Sequence, residues 1–279
     1  MESPMKLKNL NNRVVLVTGG GSGIGRATAL LSARRGAHLA ICDLNEAGLK
    51  ETAEAARGLG VEVLAQTADV TDAASMDEFA DAVHARFDTV DLLINNAGIG
   101  VGAGFFDTTP EDWNRLIAVN IMGLVHGCQR FVPRMIERGT GGQVANVSSG
   151  CGYAALTYMF GYSVTKFAAF GFSEALRMEL RQHKIGVTTI CPGLINTPIL
   201  RTSVTRGAHA EERAERLARV HERRGYSPEK VAVNILRAVG RNRAVAPITP
   251  EAHLTYALTR VAPPVARWFS ARTSAVLAK

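Results

Sequence analysis

Short apolar runs alternate with longer helical patterns along the chain as far as about residue 250. Seven of the runs predict β-strands, at residues 14–17, 39–42, 61–64, 92–94, 144–147, 187–191 and 244–248. Several runs are apolar at nearly every position, which is typical of parallel strands that helices cover on both faces. The pattern therefore predicts an α/β fold built on a doubly wound, parallel, seven-stranded sheet.

A long helix is predicted to start after Thr109 and to run to about Arg138. Thr109 supplies a capping hydroxyl and Pro110 suits the first turn, while Glu111 and Asp112 lie near the positive end of the helix dipole. No repeat, low-complexity tract or linker divides the chain before residue 199. These features favour one large domain.

The composition is that of a globular protein. Of 279 residues, 47% are hydrophobic and 20% are charged, which excludes a disordered or coiled-coil chain. The longest stretch without a formal charge, residues 139–165, contains six glycines and several polar residues, so a membrane span is rejected there. Residues 1–12 have no apolar core of a signal peptide, which predicts a cytoplasmic protein.

The net charge of +7 is unevenly distributed. Residues 1–198 hold 17 Lys and Arg against 19 Asp and Glu, whereas residues 199–279 hold 15 against 6. Arg and Glu alternate in a helical register over residues 201–230, which favours a solvated, ion-paired helix over a nucleic-acid surface. We therefore expect no nucleic-acid partner.

Cysteine and histidine spacing gives no sign of a metal. The four cysteines form no CxxC motif and have no histidine at ligand spacing, and no HExxH motif occurs. We expect reduced, mostly buried thiols and no metal site. The cysteines are Cys42, Cys128, Cys151 and Cys191.

The first predicted strand runs into TGGGSGIG at residues 18–25, and a helical stretch follows. Glycines let the backbone turn tightly and approach a pyrophosphate at a helix N-terminus, although an ordinary glycine-rich turn has the same composition. Neither GxGxxG nor a P-loop fits the spacing. Asp43, at the end of the second predicted strand, could accept hydrogen bonds from an adenosine ribose; its alternative role is to cap a helix.

A third group of residues points to proton transfer. Lys166 follows Tyr162 by four positions, so the two share a helix face, and an ammonium near a phenol favours the phenolate. Ser149 lies thirteen residues before Tyr162, at the end of a predicted strand. A surface Tyr/Lys pair is the alternative, and a serine hydrolase is disfavoured because no GxSxG motif occurs.

Together with Asp69-Val70, NNAG at residues 95–98, Asn120 and PGLINT at residues 192–197, these motifs resemble the short-chain dehydrogenase/reductase family over most of residues 13–198. The resemblance implies a Rossmann-like fold and a catalytic tetrad of Asn120, Ser149, Tyr162 and Lys166. It also implies the following cofactor-binding residues: Gly19, Ser22, Gly23, Ile24, Gly25, Asp43, Leu44, Asp69, Val70, Asn95, Ala97, Gly98, Tyr162, Lys166, Pro192, Gly193, Ile195 and Thr197.

In such an enzyme Tyr162 exchanges the hydroxyl proton and Ser149 binds the substrate oxygen. Lys166 lowers the tyrosine pKa and holds the nicotinamide ribose, and Asn120 supports a water chain. Asn96 and Gly98 are expected to brace the sheet rather than to touch the substrate, and Ser148 is expected to be structural. Asp43 favours NAD, so the implied function is an NAD(H)-dependent oxidoreductase that interconverts a secondary alcohol and a ketone.

Two other functions fit the same motifs. An NADP(H)-dependent carbonyl reductase and a non-catalytic nucleotide-sensing scaffold with the same fold are the alternatives. A lipophilic or cyclic substrate is favoured by a long substrate loop, at about residues 194–228, and by mostly apolar lining after Ser149. The lining residues are Cys151, Tyr153, Leu156 and Met159. The resemblance also implies a homodimer or homotetramer formed through helices at residues 111–138 and 158–183.

The chain departs from the family pattern at its C-terminal end. We expect the dehydrogenase domain to cover residues 1–250 and a helical extension to cover residues 251–279. An apolar stripe in the extension consists of Leu254, Leu258, Val261, Val265 and Trp268, and Pro263-Pro264 must kink or divide the helix. Docking on its own domain or on a partner subunit is the favoured interpretation; a lid over the substrate and a membrane-surface contact are the alternatives.

Overall fold

Helices and strands alternate through the computed structural model, which describes residues 7, 9–195, 203–208, 210–212, 215–216, 219 and 226–278. The strands are β1 (Val14–Thr18), β2 (His38–Asp43), β3 (Val63–Thr67), β4 (Leu92–Asn95), β5 (Val101–Gly102), β6 (Gly142–Val147), β7 (Ile185–Cys191), β8 (Val204–Thr205) and β9 (Val245–Pro247). The α-helices discussed below are α1 (Gly23–Arg34), α2 (Glu46–Arg57), α3 (Ala73–Phe87), α4 (Pro110–Ile117), α5 (Gly123–Arg138), α6 (Phe160–Leu180), α7 (Pro228–Gly240), α8 (Pro250–Val261) and α9 (Pro263–Ala278).

Seven strands form one parallel sheet in the order β3-β2-β1-β4-β6-β7-β9. This confirms the predicted doubly wound, seven-stranded sheet. The chain reverses its direction of winding between β1 and β4, so the loops after these two strands diverge and open a crevice at the carboxyl edge. The candidate site residues are therefore expected at this edge.

The central strands of the sheet are buried on both faces, as their apolar runs predict, whereas the edge strand β3 is partly exposed. All five residues of β1 are buried. Val15 and Val17 pack in the apolar cluster that contains residues of α1, α2 and α7, whereas Leu16 packs on the opposite side with residues of α3, α5 and α6. This alternation fixes which helix covers which face of the sheet.

The predicted helix after Thr109 is interrupted. Thr109 accepts a hydrogen bond from the Asp112 N–H (3.2 Å), and the Asp112 carboxylate accepts from the Thr109 N–H (3.2 Å), which forms a capping box. After α4, however, the residues of Ala118–Met122 form a π-helix before α5 continues to Arg138. The expectation of one continuous helix is corrected, and the interruption contains Asn120.

A second, two-stranded sheet pairs β5 with β8. Two-residue strands carry too short an alternation to be recognised in a sequence. Arg206, directly after β8, donates to the buried carboxylate of Asp112 at the start of α4 (3.0 Å), and this lowers the pKa of Asp112. The segment after β7 is thus anchored again at residues 204–206.

The C-terminal extension docks on its own domain, but not through the apolar stripe. Among residues 251–275, Ala252, Ala266 and Ser274 are buried, whereas Val261 is 86% exposed and Trp268 is 61% exposed. Small side chains allow α8 and α9 to lie close to the domain, and most of the apolar stripe is exposed. The helix is divided after Val261, as the two prolines predict. Within the described residues, no helix combines the length and apolarity that crossing a bilayer requires.

Candidate active site

The turn between β1 and α1 needs glycine wherever its backbone approaches itself most closely. A Cβ on Gly25 would lie 1.9 Å from the Gly19 carbonyl oxygen, and Gly19 and Gly23 have positive φ angles of 67° and 51°. Ser22 occupies the N-cap of α1, and its side chain makes no capping hydrogen bond there. The first-turn N–H groups of α1 are therefore suited to an anion such as a pyrophosphate.

Asp43 joins the end of β2 to this turn. Its carboxylate accepts hydrogen bonds from the Gly21 N–H (2.8 Å) and from the Asn45 N–H (2.9 Å). The cap of α2 is Asn45, which accepts from the Gly48 N–H (3.1 Å), so Asp43 is not the side-chain cap of that helix. Each carboxylate oxygen has a further lone pair, which leaves acceptor capacity for a ribose hydroxyl beside the exposed Leu44.

Asp69 and Val70 lie in the turn after β3. Asp69 accepts from both the N–H and the hydroxyl of Thr71 (2.8 Å each). The Val70 carbonyl oxygen lies 2.9 Å from Nδ1 of His126 on α5, and Val70 is buried. Both residues are thereby fixed at the carboxyl edge of the sheet.

The segment after β4 connects the two parts of the site. At its start, the Asn96 side chain donates to the carbonyl oxygens of Thr18 (2.9 Å) and Gly19 (3.2 Å), which confirms the expected bracing role. At its end, a Cβ on Gly98 would lie 3.1 Å from Asn120 Oδ1 and 3.4 Å from Lys166 Nζ. The glycine turn and the Tyr162 region therefore border the same short segment.

Asn95 is placed differently from its neighbours. Its side chain is buried and donates to Asn146 Oδ1 (2.9 Å), which in turn belongs to a network with Ser173 of α6. The Asn95 side chain thus points into the layer between the sheet and the helices. Only the backbone of Asn95, together with Ala97 and Gly98, is left to face a cofactor.

Asn120 is held firmly in the π-helix. Its side chain accepts from the Ile99 N–H (2.9 Å) and donates to the Ile99 carbonyl (3.0 Å) and the Thr165 hydroxyl (3.0 Å). The π-helical turn thus ties the segment after β4 to α6, directly beside Tyr162 and Lys166. Thr165 was not singled out by the sequence, because its contact partner is 45 positions away.

Tyr162 and Lys166 lie together in the first two turns of α6. Lys166 Nζ is 5.6 Å from the centre of the Tyr162 ring and donates to the Val147 carbonyl at the end of β6 (3.0 Å). The Ser148 hydroxyl donates to the Lys166 carbonyl (2.7 Å), which confirms that Ser148 is structural. Ser149 accepts from the Cys151 N–H (3.1 Å).

Burial controls the protonation of this pair. Removal from water raises the pKa of Tyr162, Cys151 adds to the rise, and a hydrogen bond with Ser149 opposes it. Burial also lowers the pKa of Lys166 to about 8. The ammonium of Lys166 donates to Val147, and its expected lowering of the tyrosine pKa stays a prediction.

The segment after β7 borders the site from the other side. The Pro192 carbonyl accepts from the Gly150 N–H (2.7 Å), and Ile195 is buried. The Leu194 N–H donates to the Glu251 carboxylate (3.1 Å). Thr197, expected to bind the cofactor, and most of the expected substrate loop lie outside the described residues.

The C-terminal extension supplies contacts that the sequence did not reveal. Tyr153, expected only to line the substrate site, donates its hydroxyl to the Ala252 carbonyl of α8 (2.8 Å), and its ring packs edge-on against Tyr256 at 5.2 Å. The Thr157 N–H donates to the Ser274 hydroxyl of α9 (3.1 Å). The Thr-Pro-Glu sequence at residues 249–251 could have signalled a helix start here, but a helix start does not disclose its partner.

Known proteins resemble this chain in sequence. The family model of the short chain dehydrogenases matches residues 13–207. The probable oxidoreductase EphD of Mycobacterium tuberculosis is 42% identical over 262 residues, which cover 91% of this chain but 44% of EphD, so the chain spans less than half of that relative. SadH of the same organism is 35% identical over 259 residues, with 91% of this chain and 92% of SadH covered.

The solved structures agree with the family match. A short-chain dehydrogenase/reductase from Burkholderia phymatum in complex with NAD matches with a TM-score of 0.86 and 28% identity, over 93% of this chain and 96% of that one. The chain belongs to the short-chain dehydrogenase/reductase family. The family that the motifs resembled is thereby confirmed.

Proposed function

We propose that the protein interconverts a secondary alcohol and a ketone with NAD(H). The observation that carries this proposal is the convergence of Ser149, Tyr162, Lys166 and Asn120 beside the segment that also braces the glycine turn. A bound nicotinamide ring would supply or accept the hydride. The chain's own groups would position the substrate and move the proton.

Each of the four residues has a distinct proposed role. Tyr162 exchanges a proton with the substrate oxygen, and Ser149 donates a hydrogen bond to that oxygen. Lys166 has three N–H donors and uses one for Val147, so two remain for the nicotinamide ribose and the phenol. Asn120 fixes the π-helical turn beside Tyr162 and Lys166. It also supports a water chain that carries the proton.

The preference for NAD over NADP rests on Asp43. Its carboxylate is fixed by Gly21 and Asn45, so it cannot move away from a 2′-phosphate without breaking two hydrogen bonds. Repulsion between the two negative groups would disfavour NADP, and Leu44 offers no positive charge to offset it. The NAD complex of the Burkholderia relative supports this preference.

The proposed substrate is lipophilic or cyclic. Cys151, Tyr153, Leu156 and Met159 follow Ser149 and would line the substrate side with mostly apolar surface. A compact apolar alcohol or ketone fits such a lining better than a charged metabolite does, because burying an unpaired charge is costly.

We also propose a homo-oligomer formed through α5 and α6. Phe160, Val164 and Phe167 are partly exposed and recur every three to four residues on one face of α6. Such a face is suited to a second copy of the chain. Light scattering of the purified protein tests this, and a monomer at micromolar concentration would contradict it.

The Tyr162→Phe variant tests the proposed chemistry, since it removes the transferable proton and keeps the ring. We expect turnover to fall at least ~100-fold while the dissociation constant for NADH changes less than about three-fold. Tyr226→Phe, which removes a phenol hydroxyl outside the four site residues, is the matched control. Turnover of the Tyr162→Phe variant close to that of the wild type would refute the assigned acid/base.

A further inference from the structure

Three helices of this chain begin with the same motif, a hydroxyl residue followed by proline and glutamate. The motif occurs at residues 109–111 before α4, at 227–229 before α7 and at 249–251 before α8. In each case the hydroxyl residue is the N-cap and accepts a hydrogen bond from the third helical N–H. The sequence gives no reason to treat the three glutamates differently.

Two of these glutamates turn back onto their own helix start. Hydrogen bonds with its own backbone N–H and with Thr109 lower the pKa of Glu111. Glu229 is held by Ser227 and by its own backbone N–H in the same way, and its pKa is lowered too. These carboxylates serve the helix to which they belong.

Glu251 instead reaches across to another part of the chain. Its carboxylate accepts from the Leu194 N–H at 3.1 Å, 57 positions away in the sequence. A Cβ on Gly193 would lie 2.6 Å from Glu251 Oε1 and 2.1 Å from Thr249 Oγ1. The start of α8 therefore packs directly against the backbone of residues 193–194.

The first turn of α8 also contacts the loop that begins with Ser149, on the other side of the site. The Ala252 carbonyl accepts from the Tyr153 hydroxyl (2.8 Å), in the loop that begins with Ser149. That loop and the segment after β7 are joined by the bond from the Gly150 N–H to the Pro192 carbonyl (2.7 Å). The first turn of α8 thus fixes both loops relative to each other.

We propose that Glu251 is a positioning residue for cofactor binding. By holding the Leu194 N–H, its carboxylate keeps the backbone of residues 192–195 in the conformation that closes over the nicotinamide. A hydrogen bond from a backbone N–H to a carboxylate is among the stronger ones, and the helix dipole of α8 further stabilises that charge. This inference rests on the proposed function, because the contact of Pro192, Gly193 and Ile195 with the cofactor is what the family resemblance implies.

The test compares NADH affinity, measured by fluorescence titration, in three variants of the full chain. We expect Glu251→Ala to raise the dissociation constant about ten-fold, because the Leu194 N–H loses its acceptor. Glu251→Gln keeps an acceptor oxygen at the same length and should stay within about three-fold of the wild type. Glu111→Ala, at the equivalent position of α4, should leave affinity unchanged. Glu229 is a poorer control, because it lines a cavity together with Gly23 of the glycine turn.

Thermal unfolding of the same variants separates positioning from a structural role. If Glu251→Ala bound NADH as tightly as the wild type, or if Glu111→Ala lost as much affinity and melting temperature, the proposal would be overturned. Should Glu251→Ala not fold, Glu251→Met keeps the side-chain length without a strong acceptor and takes its place. A wild type that bound neither NADH nor NADPH would refute the proposed function instead.

Discussion

The two sides of the site are built in different ways. On the glycine-turn side, the contacts join neighbouring elements: Gly21 and Asp43, for example, are 22 positions apart. On the Ser149 side, Tyr153 bonds to a residue 99 positions away, and Leu194 to one 57 positions away. The first side is therefore built on a local motif, to which Asn96 adds a brace from 78 positions away. The second is complete only when the C-terminal extension has docked.

This difference predicts where substitutions act. A change in the glycine turn should abolish cofactor binding directly, since the turn has no room to adjust. Changes in the extension should act through the loops that it holds. Changes on its outward face should have little effect.

The largest expected effect is that of Gly25→Ala. The added methyl group would overlap the Gly19 carbonyl oxygen at 1.9 Å, so the turn must open. We expect NADH affinity to fall at least ~100-fold, or the protein to fail to fold. Gly171→Ala on α6 is the matched control, because nothing lies within 4 Å of a Cβ there. Equal NADH titration curves for the two variants would show that the turn is looser than this geometry implies.

Asp43→Ser should have the next largest effect. Removing the carboxylate relieves the repulsion of a 2′-phosphate, so the ratio of kcat/KM for NAD over NADP should fall about ten-fold or more. Steady-state kinetics with both cofactors measure that ratio. Because Asp43 also holds the Gly21 N–H, some affinity for NAD should be lost as well. An unchanged ratio would remove Asp43 from cofactor selection.

The pH dependence should differ between the two reaction directions. Burial raises the pKa of Tyr162, so its phenol stays protonated at neutral pH, and a protonated phenol is the form that donates to a ketone. Ketone reduction should therefore be nearly constant between about pH 6 and about pH 8, while alcohol oxidation, which needs the phenolate, should rise about ten-fold per pH unit, or roughly 100-fold over that interval. Initial rates in both directions measure this. A rise of reduction with pH would contradict the assignment of Tyr162.

The smallest effect is expected on the outward face of the extension. Val261 is 86% exposed, so Val261→Ser should change the free energy of unfolding by less than about 0.5 kcal/mol. Ala266 is buried on the same pair of helices, and Ala266→Leu should cost about 1–3 kcal/mol through overpacking. Denaturant titration gives both values. A larger loss for Val261→Ser would mean that the apolar stripe is covered in solution.

Much of the fold could be predicted because its signals are local. Apolar runs marked all seven strands, although β3 begins at Val63 rather than at residue 61. The glycine turn and the Tyr162/Lys166 spacing were recognisable for the same reason. The π-helix around Asn120, the direction of the stripe at Val261 and the reach of Glu251 depend on tertiary packing, which a periodic pattern does not encode.

The charge states of Tyr162 and Lys166 were also beyond the sequence. Their four-residue spacing correctly predicted that they share a helix face, but not that Lys166 is buried and Tyr162 partly buried. Burial changes a pKa as strongly as a neighbouring charge does, and it depends on every element that packs around the site.

The most direct test of the account is hydride transfer by the wild-type protein. Absorbance at the reduced-nicotinamide band would be followed with a panel of cyclic and open-chain secondary alcohols and their ketones, each with NAD(H) and with NADP(H). The account predicts turnover with lipophilic members of the panel and a higher kcat/KM with NAD(H). Cofactor binding without turnover on any member would indicate a nucleotide-sensing scaffold, and a higher kcat/KM with NADP(H) would contradict the role of Asp43.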